Sequence, residues 1–134
     1  MSANTVSIKS TSSDTRLEFS DFVGDYFDVT VKGIRCNGKR RVWSYEGSKQ
    51  FIEFFGSMAR EWKGWTVEKK CGSLEGELEM LATMDTLGHI TLKVALADFE
   101  SADNWQLNAN LTIDAGQLDA IAKDVRAFFE KSPP

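Results

Sequence analysis

Residues 47–79 read GSKQFIEFFGSMAREWKGWTVEKKCGSLEGELE, and the fold turns on how this stretch divides. Phe51, Ile52, Phe54, Phe55, Met58, Ala59 and Trp62 fall on one wide apolar stripe at helical spacing. Lys49, Gln50, Glu53, Ser57, Arg60 and Glu61 take the remaining faces. The spacing predicts a helix over Ser48–Trp62, capped by Ser48 or Gly47 and ended by Gly64. Gly56 inside it costs about 1 kcal/mol against Ala and leaves room for a close neighbour. Trp62-Lys63-Gly64-Trp65 is the exit, and Ser73-Leu74-Glu75-Gly76-Glu77-Leu78-Glu79 opens a strand.

Upstream of the helix the period changes from helical to two. Met1 to Asp14 reads equally as a frayed terminus or as an edge strand through Val6 and Ile8. Leu17 and Phe19 mark a short strand. Phe27, Val29 and Val31 mark another after a Gly24-Asp25 turn. Asn37-Gly38 is the sharpest turn signal, since both residues tolerate the positive φ of a two-residue hairpin. A hairpin there pairs Cys36 with Lys39, Arg35 with Arg40 and Gly33 with Val42, and returns through Val42, Trp43 and Tyr45.

Downstream, three strands alternate cleanly. Their apolar faces are Leu74, Leu78, Met80, Ala82 and Met84, then Ile90, Leu92, Val94 and Leu96, then Trp105, Leu107, Ala109, Leu111 and Ile113. Short turns at Asp85–His89 and Ala97–Asn104 predict an antiparallel meander with Met80 near Val94 or Leu92 and Val94 near Leu107. A second helix follows, opened by an Asp114/Gln117 capping box. Leu118, Ile121, Ala122, Val125, Phe128 and Phe129 form its stripe, Asp119 and Lys123 pair on its wet side, and Lys131–Pro134 ends it. The order strands-helix-strands-helix predicts one α+β domain over 1–134. Its expected architecture is two layers, one antiparallel sheet of about six strands with both helices on its apolar face.

The chain has 134 residues, a formal charge of −4 and a pI near 5.0. That balance argues against a general nucleic-acid binder, which needs excess Lys and Arg to displace counterions. No apolar run approaches the roughly 20 residues of a bilayer span, and the first residues lack the features of a signal peptide. A cytoplasmic protein without a membrane partner is the expectation. Two distant cysteines, Cys36 and Cys71, fit a reducing compartment better than a disulfide.

Four groups of residues are candidates for function. The outward side of the three-strand meander carries Glu75, Glu77 and Glu79, then Thr91, Lys93, Ala95 and Ala97, then Gln106, Asn108, Asn110 and Thr112. The carboxamide band Gln106, Asn108, Asn110 can donate and accept hydrogen bonds without ionic desolvation. Paired glutamates on one strand can lie within acid–base reach, but nothing positions them across a cleft, so solvation or pairing with Lys93 is the simpler reading. Arg35, Lys39, Arg40 and Arg41 form a basic patch able to steer an anionic partner or to blunt a strand edge. Trp62 and Trp105 fall on apolar faces and read as core, whereas Trp43 and Trp65 are less easily buried and are candidate anchors. His89 alone builds no metal site, no nucleophile elbow or phosphate-cradling glycine loop is present, and neither a metal nor a cofactor is expected.

The run Trp62-Lys63-Gly64-Trp65, Ser73-Leu74-Glu75-Gly76-Glu77-Leu78, Trp105-Gln106-Leu107, Ala115-Gly116-Gln117-Leu118 and Val125-Arg126-Ala127-Phe128-Phe129 resembles a family of small bacterial proteins with no assigned activity. The resemblance covers about Phe51 to Phe129, implies a bacterial source and transfers no catalytic residue. These features point to a non-enzymatic domain that binds another protein, comparable in size and charge to immunity proteins. The alternative is a small-ligand binder or enzyme using a pocket at the sheet face or between helix and sheet. Trp43, Trp65, Glu77, Glu79, Lys93, Gln106, Asn108 and Asn110 are the residues expected to carry binding.

Overall fold

The computed structural model describes residues 5–44, 48–73 and 75–130. Tyr45, Gly47, Leu74 and the Lys131–Pro134 helix ending lie outside them. The chain runs β1 (Val6–Lys9), β2 (Arg16–Val23), β3 (Tyr26–Lys32), β4 (Asn37–Trp43), α1 (Ser48–Arg60), β5 (Lys69–Gly72), β6 (Leu78–Met84), β7 (His89–Asp98), β8 (Trp105–Asp114) and α2 (Leu118–Phe129). A short 3-10 turn, Ala115–Gln117, leads into α2. The α+β composition and the antiparallel pairing are as expected. The single sheet of about six strands is not. The strands form two four-stranded antiparallel sheets, β1-β2-β3-β4 and β5-β6-β7-β8.

Two short strands account for much of that difference. β1 is one reading of the N-terminal segment made real, with Val6 and Ile8 buried against Phe19 and Leu17. β5 carries no alternation that a sequence reader could use, because only Cys71 of its four residues is buried. Strand alternation also says which face is apolar, but not whether strands on either side of a helix share a sheet.

Both sheets turn their apolar faces to one continuous core, which the two helices complete. Its aromatic centre joins Phe19, Phe22 and Phe27 of the first sheet to Phe51 and Phe55 of α1 and Phe128 and Phe129 of α2, with edge and tilted ring contacts. A bulge between Ser20 and Val23, with Asp21 at φ 53°, explains how Phe19 and Phe22 face the same side. Three positions apart in a regular strand, they would point to opposite faces. Apart from Trp62, the helical stripes turn to the core, with Phe51, Phe54, Phe55 and Met58 buried on α1 and Leu118, Ile121, Val125, Phe128 and Phe129 on α2. At the start of α2 the Asp114 N–H donates to Gln117 Oε1 at 2.9 Å, and the Asp119–Lys123 pair closes to 3.2 Å.

The Asn37-Gly38 hairpin is overturned. The turn is Gly33–Cys36, closed by Gly33 N–H on Cys36 O at 2.9 Å, and Lys32 pairs with Asn37 as β4 begins. Val29 therefore faces Arg40, and Phe27 faces Val42. Gly38 is inside the strand because β4 lies against the second sheet there. A Cβ on Gly38 would stand 2.8 Å from Leu107 Cδ1. What meets Gly38 is the tip of a leucine from the other sheet, which a side chain there would have to displace, and not the geometry of a turn.

In the second sheet Met80 faces Val94, one of the two expected partners, whereas Val94 faces Ala109 and Leu107 faces Leu96. The helix expected to reach Trp62 ends at Arg60, leaving Trp62 54% exposed. Trp105, at the outer end of β8, is 36% exposed, so neither tryptophan is the core residue its spacing implies.

The two sheets meet at two seams. At one, β4 crosses the ends of three strands. Trp43 N–H donates to Glu77 Oε2 at 3.3 Å beside β6, Arg40 Nε donates to Ala97 O at 3.0 Å on β7, and Gly38 touches Leu107 on β8. At the other, the loop after β1 joins β8: Thr11 N–H donates to Thr112 O at 2.8 Å and Thr112 N–H to Ser10 Oγ at 3.0 Å.

Candidate functional site: the outer face of the second sheet

The pairing of β6, β7 and β8 dictates which side chains share the outer face. Leu78, Met80, Ala82, Ile90, Leu92, Val94, Leu96, Leu111 and Ile113 turn inward, so their neighbours in sequence turn out. Register then sets Glu79, Ala95 and Asn108 in one row, Leu81, Lys93 and Asn110 in the next, and Thr83, Thr91 and Thr112 in a third. Leu81, Thr83, Thr91 and Ala95 are half-exposed, while Glu79, Lys93, Gln106, Asn108 and Asn110 are exposed. Gln106 Nε2 donates to Asn108 Oδ1 at 3.3 Å along the strand. Five of the expected binding residues, Glu79, Lys93, Gln106, Asn108 and Asn110, are thus brought together.

Glu77 does not belong with them. It precedes β6, is 4% exposed and is a bracket between elements. One carboxylate oxygen accepts from Ser73 Oγ and the other from Trp43 N–H, while its carbonyl accepts from Ala97 N–H at 3.0 Å. Glu75 lies in the turn before the strand and not on it. The alternation Glu75, Glu77, Glu79 resembled strand periodicity, but Gly76 has φ 81° and the ladder begins only at Leu78.

Trp43 and Trp65 are likewise elsewhere. Trp43 lies half-buried on the outer side of the first sheet, opposite Tyr26. Trp65 is half-buried with its indole N–H donating to Ala82 O at 3.3 Å, and Lys69 Nζ sits 5.1 Å from its ring centre. It prolongs the edge of the second sheet beyond β5, and no binding surface includes both tryptophans.

The expected basic patch is dispersed. Arg40 faces the core side and is held by Ala97 O, Arg41 and Lys39 flank Asp28 at 3.0 and 3.6 Å, and Arg35 is exposed in the Gly33–Cys36 turn. Sequence reading missed a different row on the same sheet: Lys9, Arg16 and Lys32 are direct cross-strand neighbours. Glu18 offsets them, 3.6 Å from Arg16 and 3.2 Å from Lys32. That row could be found only with the register known, since its members lie on three strands.

Two hollows are open to solvent near the second sheet. One of about 480 Å³ is lined by Gln50, Lys70, Cys71, Gly72, Glu79, Met80 and Leu81. Cys71 is buried there, and burial pushes its thiol up to about 12, away from nucleophilic use. The other, about 550 Å³, includes Trp65, Met84, Asp85 and Gly88. Asp85 accepts the N–H groups of His89 and Leu87, each at 2.9 Å, and these donors lower its carboxyl below the ordinary value. Among the described residues no three His, Cys, Asp or Glu side chains gather as a metal-ligand set. Among them, too, no helix is long and apolar enough to cross a membrane.

The fold is thus an α+β domain of two packed antiparallel sheets. By sequence the chain belongs to a family of unknown function (DUF6228), whose model matches residues 5–132. No curated protein matches it. Among solved structures it is similar to a chain of Trypanosoma bruciei MRP1/MRP2, at 10% identity and a TM-score of 0.48, over 95% of this chain and 83% of that one.

Proposed function

We propose that the domain binds another protein through the outer face of its second sheet. The observation that supports this reading is the placement of polarity. Exposed Lys93 lies at the middle of the face, between half-exposed, uncharged Leu81, Ala95 and Thr91 and the amide Asn110, and Glu79, Gln106 and Asn108 extend the polar surface on one side. Half-exposed uncharged side chains interleaved with hydrogen-bonding amides and one cation offer a partner protein both contact area and polar pairing. The neighbouring hollow is open to solvent, which favours docking over enclosure of a small ligand. On the same reading the domain works in a bacterial cytoplasm as immunity proteins do, by occupying a partner and not by transforming it; the size and acidity of the chain support this part.

The test is affinity capture from the native host with wild type, Ala95→Arg and Lys93→Glu. Ala95 and Lys93 lie one strand in from the sheet edge, so these changes alter the face and leave the edge intact. A partner recovered with wild type and lost with both variants is expected. Equal recovery, or none from wild type, removes this face as the binding surface.

A further inference from the structure

Four strands are sheet edges, and three of them are closed to newcomers. β1 and β5 are four residues long and carry Lys9, or Lys69 and Lys70. β4 carries Lys39, Arg40 and Arg41 and has two outward groups taken: Arg41 O accepts from Arg40 Nη1 at 2.9 Å and Trp43 N–H donates to Glu77. Short edges, lysines and occupied main-chain groups are the usual guards against strand addition. β8 has none of them along most of its length. It spans ten residues, WQLNANLTID, without Lys, Arg or Pro, and pairs with β7 without a bulge.

The outward groups of β8 can be identified from Thr112, whose N–H and C=O both leave the sheet to meet Ser10 and Thr11. In an antiparallel ladder alternate residues direct their main-chain groups to the same side. Gln106, Asn108 and Asn110 therefore present theirs to the open edge, where no main-chain partner exists among the described residues. The apolar row behind the strand changes at the same place. Leu111 and Ile113, beside the crossing loop, are fully buried, whereas Leu107 and Ala109 are half-buried and Trp105 is exposed.

We propose that two copies of the chain pair β8 to β8, antiparallel about a two-fold axis at Asn108, making one continuous sheet from the four strands of each copy. In this register Asn108 faces its own symmetry mate, Gln106 faces Asn110 of the other copy, and Leu107 faces Ala109. Every outward N–H and C=O of Gln106, Asn108 and Asn110 gains a partner, and pairing stops where Thr112 is already engaged. The added strand covers the exposed flanks of Trp105, Leu107 and Ala109. The occupant is a second copy because the segment presents the same apolar–polar pattern in both directions from Asn108. It also places no like charges opposite each other, which would oppose pairing. The same operation on β4 would bring the cations Lys39 and Arg41 of the two copies together.

The test is the solution mass of the full chain by light scattering over a concentration series, with cross-linking. In a hydrogen-bonded antiparallel pair the Cα atoms lie about 5.5 Å apart, inside the roughly 4.4–6.8 Å window of a disulfide. In a Cys36→Ala background, Asn108→Cys is expected to give a covalent dimer under mild oxidation, and Lys93→Cys, one strand from the edge, none. Wild type should double in mass with concentration. Asn108→Lys, with an unchanged thermal melt, should stay monomeric, and Ala95→Arg should still dimerise. A wild type monomeric throughout, a dimer indifferent to Asn108→Lys, or equal cross-linking from Lys93→Cys overturns the proposal.

Discussion

Cys36 lies exposed in the Gly33–Cys36 turn, and Cys71 is buried with its thiol pushed up to about 12. Thiolate is the reactive form, so iodoacetamide on the native protein should label Cys36 alone, and Cys71 only once denaturant is added. Peptide mass spectrometry reads the result. Gly56 calls for the opposite kind of test. Room for a close neighbour is the expectation from sequence, yet the nearest group to a Cβ there is Arg60 Nη1 of the same helix, at an ordinary 3.5 Å. Gly56→Ala should therefore stabilise the protein by about 0.5–1 kcal/mol in a urea titration, through helix entropy alone. Individual glycines are hard to read from sequence for this reason. Gly38 and Gly56 both look like backbone specialists, but one meets the tip of a leucine from a distant strand and the other only an arginine of its own helix.

The helices and the long strands were legible because each has its own period. The α1 and α2 stripes, the capping box at Asp114 and the faces of β6, β7 and β8 follow from local spacing that the core then uses. β5 was not, since four residues with a single buried side chain carry no pattern, and Glu77 imitated a strand position while serving a turn. The β6–β7 turn shows local chemistry that can be tested by pH. Asp85 accepts two main-chain N–H groups, and its His89 neighbour lies 3.5 Å away. Its carboxyl is lowered from 3.8 in the folded state, so its stabilisation is present above that value and is lost as pH falls through the lower folded one. An NMR titration should find the Asp85 carboxyl below 3.8, and Asp85→Asn should remove that part of the acid sensitivity of the melt.

At the scale of the molecule, neither the division into two sheets nor the seams between them can be read from any one segment, because Trp43–Glu77, Arg40–Ala97 and Thr11–Thr112 join distant parts of the chain. The candidate face was largely legible, since Glu79, Lys93, Gln106, Asn108 and Asn110 need only strand parity to be grouped. That Lys93 falls at its middle, between Leu81 and Asn110, was not, because this needs the register between β6, β7 and β8. Glu77 holds one seam. Glu77→Ala should cost about 1–3 kcal/mol by removing the acceptor that Ser73 Oγ and Trp43 N–H share across the seam, whereas substitution of exposed Glu79 should change the melt little. Equal effects of the two would mean that the seam is not a stabilising joint.

The ring cluster around Phe19 and Phe27 has a consequence for how the protein is made. Those residues are synthesised early, but Phe128 and Phe129, which cover them, come from the other end of the chain. A ribosome-bound chain that has not yet released α2 holds an apolar sheet that α1 covers only in part, through Phe51 and Phe55. The cover of the first sheet is complete only once α2 has emerged, and until then part of its phenylalanine surface is open to chaperones.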